Sequence, residues 1–316
     1  MVKYYDISNW EEHPYYNTGG TRDKSVYESP EDYQLYYFKT SLKKEAKDYT
    51  YEFWSEIIAS EIGSYLGFDV LHYDVAYHNG ALGCLSRSMI EPNVSQLFEG
   101  YKWLSVDIPG YDTEDKEAYT FQLIEKMMNN RFPNSGFVEK LISTIIFDSI
   151  IGNEDRHQEN WGIIVSQKRV ARTKGFRKTV YLVQTKFDYS PIYDSGSSLG
   201  RELLEEKVNR MLKDNNELEA YIRRGKSEIH WTGEKGKQQH LDLVSKISAS
   251  GHSAFVKKEI ERIRGIFIES KVAEIINNID NCLPEELSDK KIPEKRKELL
   301  IKLVNLRIIK LLNLQL

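Results

Sequence analysis

The segment Phe137–Ile151 is apolar on nearly every side, and a dense run of polar residues follows it directly. A helix that is apolar all round is usually buried, so this segment predicts a helix at the centre of a large core. The polar run, residues 152–160, reads Gly-Asn-Glu-Asp-Arg-His-Gln-Glu-Asn and precedes a strand-like segment, residues 161–165. A polar loop held between a buried helix and a strand is a typical place for functional residues.

Upstream of this loop the pattern indicates short strands around a single helix. Strand-like stretches cover residues 33–39, 69–71 and 81–85, whereas residues 51–66 carry apolar side chains at helical spacing and end at Gly67. Residues 17–21, with two glycines, predict a loop.

Downstream, the chain becomes mainly helical. Helices are expected at residues 118–129 and at Glu294–Leu312, and a second strand is expected at residues 179–183. The chain is therefore predicted to be α+β, with a small β-rich part followed by a larger helical part.

Composition narrows the class of protein. With 316 residues, 40% of them hydrophobic, the chain can bury one large or two modest cores. The formal net charge of −4 gives no global positive field, so direct binding to nucleic acid or to a membrane is not expected. Cys84 and Cys282 form no CxxC or Cys/His cluster, which argues against a disulfide framework and against zinc. Neither a secretory signal nor a membrane-spanning run is present in the sequence, so a soluble, cytoplasmic protein is expected.

The polar loop has the residue types that phosphoryl transfer requires. A carboxylate must orient the attacking hydroxyl and accept its proton, and an oxygen ligand must hold Mg²⁺ against the phosphates. Asp155 and Asn160, five residues apart, can supply both. Asp194, with Gly196 two residues later, stands after a predicted strand and offers a second carboxylate for Mg²⁺.

Candidate phosphate-binding residues lie near the N-terminus. Lys39, at the end of an aromatic strand, can neutralise phosphates, and Glu56 on the following helix can fix it through an ion pair. Gly19 and Gly20, before Lys24, would let backbone N–H groups approach the phosphates.

Together these motifs resemble the HipA-type serine/threonine kinase family. The resemblance rests on Asn153-x-Asp155-Arg156-His157-x-x-Asn160 and on residues 191–194, Pro-Ile-Tyr-Asp. Softer matches, Gly20-x-x-x-Lys24 and residues 227–231, extend it from about residue 19 to the C-terminus. It implies a bilobal protein-kinase-like fold, with an N-lobe at residues 1–90 and a C-lobe at residues 91–316.

The resemblance also implies roles for individual residues. Asp155 would be the catalytic base, Asn160 and Asp194 the Mg²⁺ ligands, Lys39 the phosphate-binding lysine and Glu56 its partner. ATP would be the second substrate, its adenine lying against a hinge. The hinge residues would be Ser86, Ser88 and Met89.

The same family implies partners and a setting. The acceptor would be a Ser or Thr hydroxyl of a protein, and Thr18 or Thr21 would be the nearest site of autophosphorylation. The chain is too short for the additional N-terminal subdomain of full-length family toxins. It is more similar to compact translocated kinases, or to short toxins with separate partner proteins, which leaves open both an antitoxin and export of an effector into a host cell.

Several plainer interpretations compete with these assignments. Asp155 could cap an ordinary polar turn with Arg156 paired to it. Lys39 could be a solvated strand-edge lysine. Glu52 and Glu61 compete with Glu56 as the ion-pair partner of Lys39. Any of the three could instead lie on the solvent-facing side of an amphipathic helix without a functional role.

Other polar residues have mainly structural interpretations. His157 is expected to hold the loop, and His230 and Trp231 are expected to pack. A basic stretch between the two predicted strands is either a solvated hairpin or a docking site for an acidic substrate, such as a nucleic-acid-bound protein. Its residues are Lys168, Arg169, Arg172, Lys174, Arg177 and Lys178.

Two other functions fit the same sequence. The Asp-Arg-His-x-x-Asn loop also resembles the catalytic loop of phosphoinositide kinases, whose substrate is a lipid headgroup. A nucleotide-binding module that works by binding a partner, without turnover, is the other alternative.

Overall fold

The computed structural model describes residues 2–14, 24–44, 47–174 and 178–316. Most of the strands lie in the first third of the chain. They are β1 (Tyr4–Asp6), β2 (Glu11–Glu12), β3 (Lys24–Glu28), β4 (Leu35–Thr40), β5 (Lys43–Lys44), β6 (Lys47–Asp48), β7 (Asp74–His78), β8 (Ala81–Arg87) and β9 (Ser95–Glu99). The predicted strands at residues 33–39 and 81–85 correspond to β4 and β8.

Six of these strands form the first sheet, in the order β1-β7-β8-β4-β3-β2. β1 pairs with β7 in parallel, and every other pair in this sheet is antiparallel. Lys39 on β4 lies opposite both Lys24 on β3 and Cys84 on β8. Directly opposite residues point to the same face of a sheet, so the two lysines share one face.

The first helix, α1 (Glu52–Tyr65), is buried over most of its length. Its apolar side chains pack in the main core, in line with the helix predicted at residues 51–66. The β5–β6 ribbon precedes it and pairs only with itself among the described strands.

The predicted strand at residues 69–71 is wrong. The chain there makes an isolated parallel bridge between Val70 and Ile192, and β7 begins only at Asp74. The Leu71 N–H donates to the Ile192 carbonyl at 2.9 Å, and the Ile192 N–H donates to the Asp69 carbonyl at 2.7 Å. These residues pair with a segment that is extended for only a short stretch, so the ladder stops after one bridge.

A second sheet, in the order β11-β10-β9, is antiparallel throughout. It is formed by β9 and a long hairpin, β10 (Gly162–Lys174) and β11 (Lys178–Tyr189). The strands predicted at residues 161–165 and 179–183 overlap the two arms of this hairpin. Lys168 and Arg169 on β10 are exposed, and Arg177 lies outside the described residues.

Helices make up most of the remaining described chain. They are α2 (Gly100–Asp107), α3 (Phe121–Arg131), α4 (Phe137–Ile151), α5 (Glu205–Lys213), α6 (Asn215–Arg224), α7 (His240–Ile247), α8 (Ser253–Ile266), α9 (Glu269–Asn278) and α10 (Glu294–Leu312). Short 3₁₀ segments at Lys116–Ala118 and Glu285–Lys290, and a π segment at Ser248–His252, connect some of them. The bounds of α4 and α10 agree with the predicted ones.

One continuous core holds the molecule together. It runs from α1 through α4 to α10, and α4 is buried along nearly its whole length, as its all-round apolar sequence predicts. Cys84 and Cys282 are both free thiols. No helix within the described ranges is long and apolar enough to cross a bilayer.

Candidate active site

A cavity of about 510 Å³ opens between the first sheet, the start of α2 and the loop that follows α4. This volume is in the range of small-molecule sites. Every predicted site residue that the structure describes lines it: Lys24, Lys39, Glu56, Ser86, Ser88, Met89, Asp155, Asn160 and Asp194. Thr18, Gly19, Gly20 and Thr21 lie outside the described residues.

Lys39 lies between two carboxylates inside the cavity. Its Nζ is 2.5 Å from Asp194 Oδ1 and 3.6 Å from Glu56 Oε1. Lys39 is 6% exposed and Glu56 is 1% exposed, so this is a buried arrangement and not a solvated strand edge. Lys24 approaches the other oxygen of Asp194 at 3.5 Å.

Burial and charge act in opposite directions on Lys39. Burial lowers the pKa of its ammonium, but the carboxylates of Asp194 and Glu56 outweigh that effect and raise the pKa above the ordinary lysine value. Burial raises the pKa of Glu56, which the Lys39 ammonium opposes. Lys39 therefore carries a fixed positive charge at neutral pH on the wall of the cavity.

The three acidic residues of α1 have different partners. Glu56 faces Lys39, whereas Glu52 Oε1 is 2.6 Å from Arg201 Nη1 and its Oε2 accepts the Leu42 N–H at 3.0 Å. Glu61 lies 3.7 Å from His72, away from the lysine. The geometry therefore selects Glu56 from the three candidates.

The loop after α4 is closed by its own hydrogen bonds. The helix ends at Gly152, whose left-handed φ of 67° turns the chain, and the Asn153 amide then donates to Asp148 Oδ1 at 3.0 Å. The Asp155 N–H donates to Asn153 Oδ1 at 3.3 Å, and the Asn160 amide donates to the Asp155 carbonyl at 2.7 Å. Since the Asn160 amide nitrogen is occupied in this way, its Oδ1 is the atom left to act as a ligand.

Arg156 is the centre of this arrangement, and its partner is Asp148 on α4 and not Asp155. Its guanidinium donates two hydrogen bonds to the Asp148 carboxylate, at 2.8 and 3.0 Å, and the side chain is 1% exposed. Its remaining acceptors are Asn160 O at 2.8 Å, Tyr193 O at 2.5 Å and Ser195 Oγ at 3.2 Å. One buried cation thus ties the loop to the segment that carries Asp194.

The sequence predicted Asp194 at the end of a β-strand, and this prediction is wrong. β11 ends at Tyr189, and the chain then reaches Asp194 through the single Val70 to Ile192 bridge. Asp194 itself has a φ of 53°, which is uncommon for a residue with a side chain. Its N–H donates to Tyr73 Oη at 3.4 Å. Left-handed backbone at such a position is often found where function requires it.

The contacts of His157, His230 and Trp231 agree with the structural roles expected of them. His157 lines the cavity, and its Nδ1 accepts the Glu159 N–H at 3.2 Å, which helps to close the loop. His230 is buried outside the cavity, and Trp231 stacks on Phe121 with a centroid separation of 6.0 Å.

One wall of the cavity was missed by the sequence interpretation. It comes from the end of β9 and the start of α2, and it contributes Glu99, Tyr101 and Lys102. The ammonium of Lys102 lies 5.5 Å from the centre of the Tyr101 ring. The only signal in the sequence is a short mixture of charged and aromatic residues, which is as common on ordinary surfaces.

The oxygen atoms present are suited to Mg²⁺ shared with a ligand. Within the described ranges no cluster of three or more His, Cys, Asp or Glu side chains could enclose a metal alone. Asp194 and Asn160 offer a carboxylate and an amide oxygen in one cavity. Mg²⁺ is usually held by one or two such groups together with substrate phosphates and water, so the residues fit that ion.

Comparison with solved structures bears on the fold as a whole. The chain is similar to the crystal structure of the Helicobacter pylori proinflammatory kinase CtkA, with a TM-score of 0.73 over 97% of this chain and 95% of that chain. The chain has a kinase-like fold. Sequence identity between the two is 20%, so the similarity concerns the fold and not the individual residues.

A second solved structure is less similar. HipA of Shewanella oneidensis MR-1, in complex with HipB and operator DNA, gives a TM-score of 0.42 at 10% identity, over 90% of this chain and 61% of that chain. No protein-family model matches the sequence, and no curated protein matches it. The α+β, kinase-like fold expected from the sequence is confirmed, while the division of that fold at residue 90 stays a prediction.

Proposed function

We propose that this protein is an ATP- and Mg²⁺-dependent kinase that phosphorylates a Ser or Thr hydroxyl of another protein. The observation that carries the proposal is one cavity that contains a buried lysine between two carboxylates together with Asp155 and Asn160. Phosphoryl transfer relies mainly on positioning and on electrostatic stabilisation, and these are the groups it uses. The kinase-like fold supports the same conclusion.

Each residue has a defined role in this proposal. Lys39, held by Glu56, binds the phosphates of ATP, and Lys24 with Gly19 and Gly20 assists it. Ser86, Ser88 and Met89 bind the adenine. Asn160 and Asp194 hold Mg²⁺, which supplies neutralisation of the phosphate charge.

The reaction balances without any further reactant. The acceptor oxygen attacks the γ-phosphorus of ATP, and the bond between that phosphorus and the bridging oxygen breaks. ADP leaves with the electron pair of that bond. Asp155 orients the acceptor hydroxyl and takes its proton.

The experiment that tests this proposal is intact-mass spectrometry after incubation with Mg²⁺-ATP, beside Asp155→Asn and Asp194→Asn. We expect the wild type to gain phosphate, on itself or on an added acceptor protein, and both variants to gain none. We expect Asp155→Asn to keep its affinity for Mg²⁺-ATP, because Asp155 acts on the acceptor. A wild-type protein that does not bind Mg²⁺-ATP would overturn the proposal.

The other two functions predict different results in the same experiment. A phosphoinositide-type kinase would transfer phosphate only when liposomes containing the lipid are supplied. A binding module would bind Mg²⁺-ATP tightly and form no phosphorylated product. Autophosphorylation at Thr18 or Thr21 would be located by fragmenting the modified chain.

The biological setting stays a prediction. A toxin with an antitoxin partner, and an effector exported from the cytoplasm into a host cell, both follow only from the family resemblance. Co-purification of a bound protein partner from the native cell would distinguish the first from the second.

A further inference from the structure

The carboxylate of Asp155 is held by a hydroxyl from the chain itself. Ser197 Oγ donates to Asp155 Oδ2 at 3.0 Å. Within the described residues, Oδ1 of the same carboxylate accepts no hydrogen bond. One oxygen of the proposed base is therefore fixed, and the other is left for an acceptor hydroxyl.

The segment that carries Ser197 is itself tightly held. Asp194 and Leu199, on either side of it, both have left-handed φ angles, of 53° and 55°. Arg156 donates to Ser195 Oγ at 3.2 Å, and the Leu199 N–H donates to the Ile151 carbonyl at 3.0 Å. A chain fixed at both ends in this way positions a side chain with little freedom.

The neighbouring serines have a different role. Ser195 and Ser198 are buried, and the Ser198 hydroxyl donates to the Ser195 carbonyl at 2.6 Å, so these two hold the segment together. Ser197 is half-buried, and its hydroxyl donates to Asp155 on the loop that follows α4. It is not among the described residues that line the cavity.

We infer that Ser197 is a positioning residue that holds the Asp155 carboxylate with one oxygen directed at the acceptor hydroxyl. The inference rests on the proposed function, since it assigns a role in the same phosphoryl transfer. A carboxylate released from Ser197 could rotate about its side-chain bonds. Small losses of alignment in a reacting group are costly in rate.

The experiment compares wild type, Ser197→Ala and Ser197→Thr. Each is assayed for transfer of radiolabelled phosphate from Mg²⁺-ATP to water and to the chain itself, and Mg²⁺-ATP affinity is measured by calorimetry. Loss of one hydrogen bond to a charged group predicts a kcat about tenfold lower for Ser197→Ala. The affinity for Mg²⁺-ATP and the urea midpoint should match the wild type, and Ser197→Thr should restore kcat because it keeps the hydroxyl.

Each contrary result is decisive. An unchanged kcat in Ser197→Ala, or a threonine variant as slow as alanine, overturns the inference. So does phosphate located on Ser197 in the wild type, because that hydroxyl would then be an acceptor and not a support. A wild type that does not bind Mg²⁺-ATP in the calorimeter removes the proposed function, and this failure is distinguishable because it precedes any comparison at Ser197.

Discussion

At the scale of single residues, the partner of Lys39 is the feature with the clearest consequence. Glu56→Gln keeps the shape of the side chain and removes one of the two charges that hold the Lys39 ammonium, which Asp194 still contacts. We expect affinity for Mg²⁺-ATP to fall about tenfold, in line with one charged interaction. Calorimetric titration measures this directly.

The matched control lies on the same helix. Glu61→Gln makes the same chemical change beside His72, away from Lys39. We expect it to leave affinity for Mg²⁺-ATP unchanged. Equal effects from the two variants would contradict the assignment of Glu56.

The sequence could identify these residues only in part. Asp155, Asn160 and Asp194 have side chains and spacing typical of phosphate chemistry, and all three line one cavity. Glu56 could not be separated from Glu52 and Glu61, because helical spacing shows that a residue lies on α1 and not what it faces. Contacts such as Arg156 with Asp148, or Ser197 with Asp155, depend on how distant turns of the chain fold together.

At the scale of elements, α4 lies between two left-handed glycines, and they are not equivalent. Gly136, with φ of 77°, has open space where a Cβ would lie, whereas a Cβ on Gly152 would lie 1.6 Å from Arg307 Nη1. Both Gly136→Ala and Gly152→Ala incur left-handed strain of about 1–2 kcal/mol. Arg307 is buried, so only the second variant also requires repacking.

We therefore expect Gly152→Ala to lower the free energy of unfolding by about 1–3 kcal/mol more than Gly136→Ala does, which is the usual cost of overpacking. Urea denaturation of the two variants beside the wild type measures the difference. Equal losses would mean that Arg307 moves aside without cost.

Elements were predicted best where the pattern is long and strongly periodic. α4 and α10 have the predicted bounds, because an apolar surface on that scale has to be buried as helix. Residues 69–71 have the composition of a strand, yet they make only a single bridge to Ile192. A short apolar run in the sequence does not show how long an extended segment will lie beside it in the fold. The length of that neighbouring segment decides whether the two form a continuous β-ladder or a single bridge.

At the scale of the whole molecule, one buried histidine makes stability depend on pH. His240 lies on α7, neither of its ring nitrogens has a hydrogen-bond partner within the described residues, and burial followed by the charge of Arg307 lowers its pKa to about 3. The unfolded chain binds this proton near pH 6.5 and the folded chain only near pH 3. The contribution of neutral His240 to the free energy of unfolding is therefore fully present above pH 6.5 and is lost progressively as the pH falls towards 3.

Between pH 6.5 and 5 this single group should remove about 1.6 kcal/mol from the free energy of unfolding, because the slope rises from half of about 1.36 kcal/mol per pH unit at pH 6.5 to nearly the full value at pH 5. Urea denaturation of wild type and His240→Phe at both pH values isolates this contribution, since all other groups are common to the two proteins. A wild type that loses no more stability than the variant would show that His240 is protonated in the folded state.

The segment from Ile192 to Leu199 is bonded to both halves of the molecule. It meets the first half through Leu71 and Lys39, and the second half through Arg156 and Ile151. These hydrogen bonds add to the continuous apolar core that α1 shares with α4 and α10, and the cavity cannot widen beside Asp194 without breaking them. We therefore expect a ligand that contacts Asp194 to exchange more slowly than one that does not, since its release disturbs this hydrogen-bonded stretch.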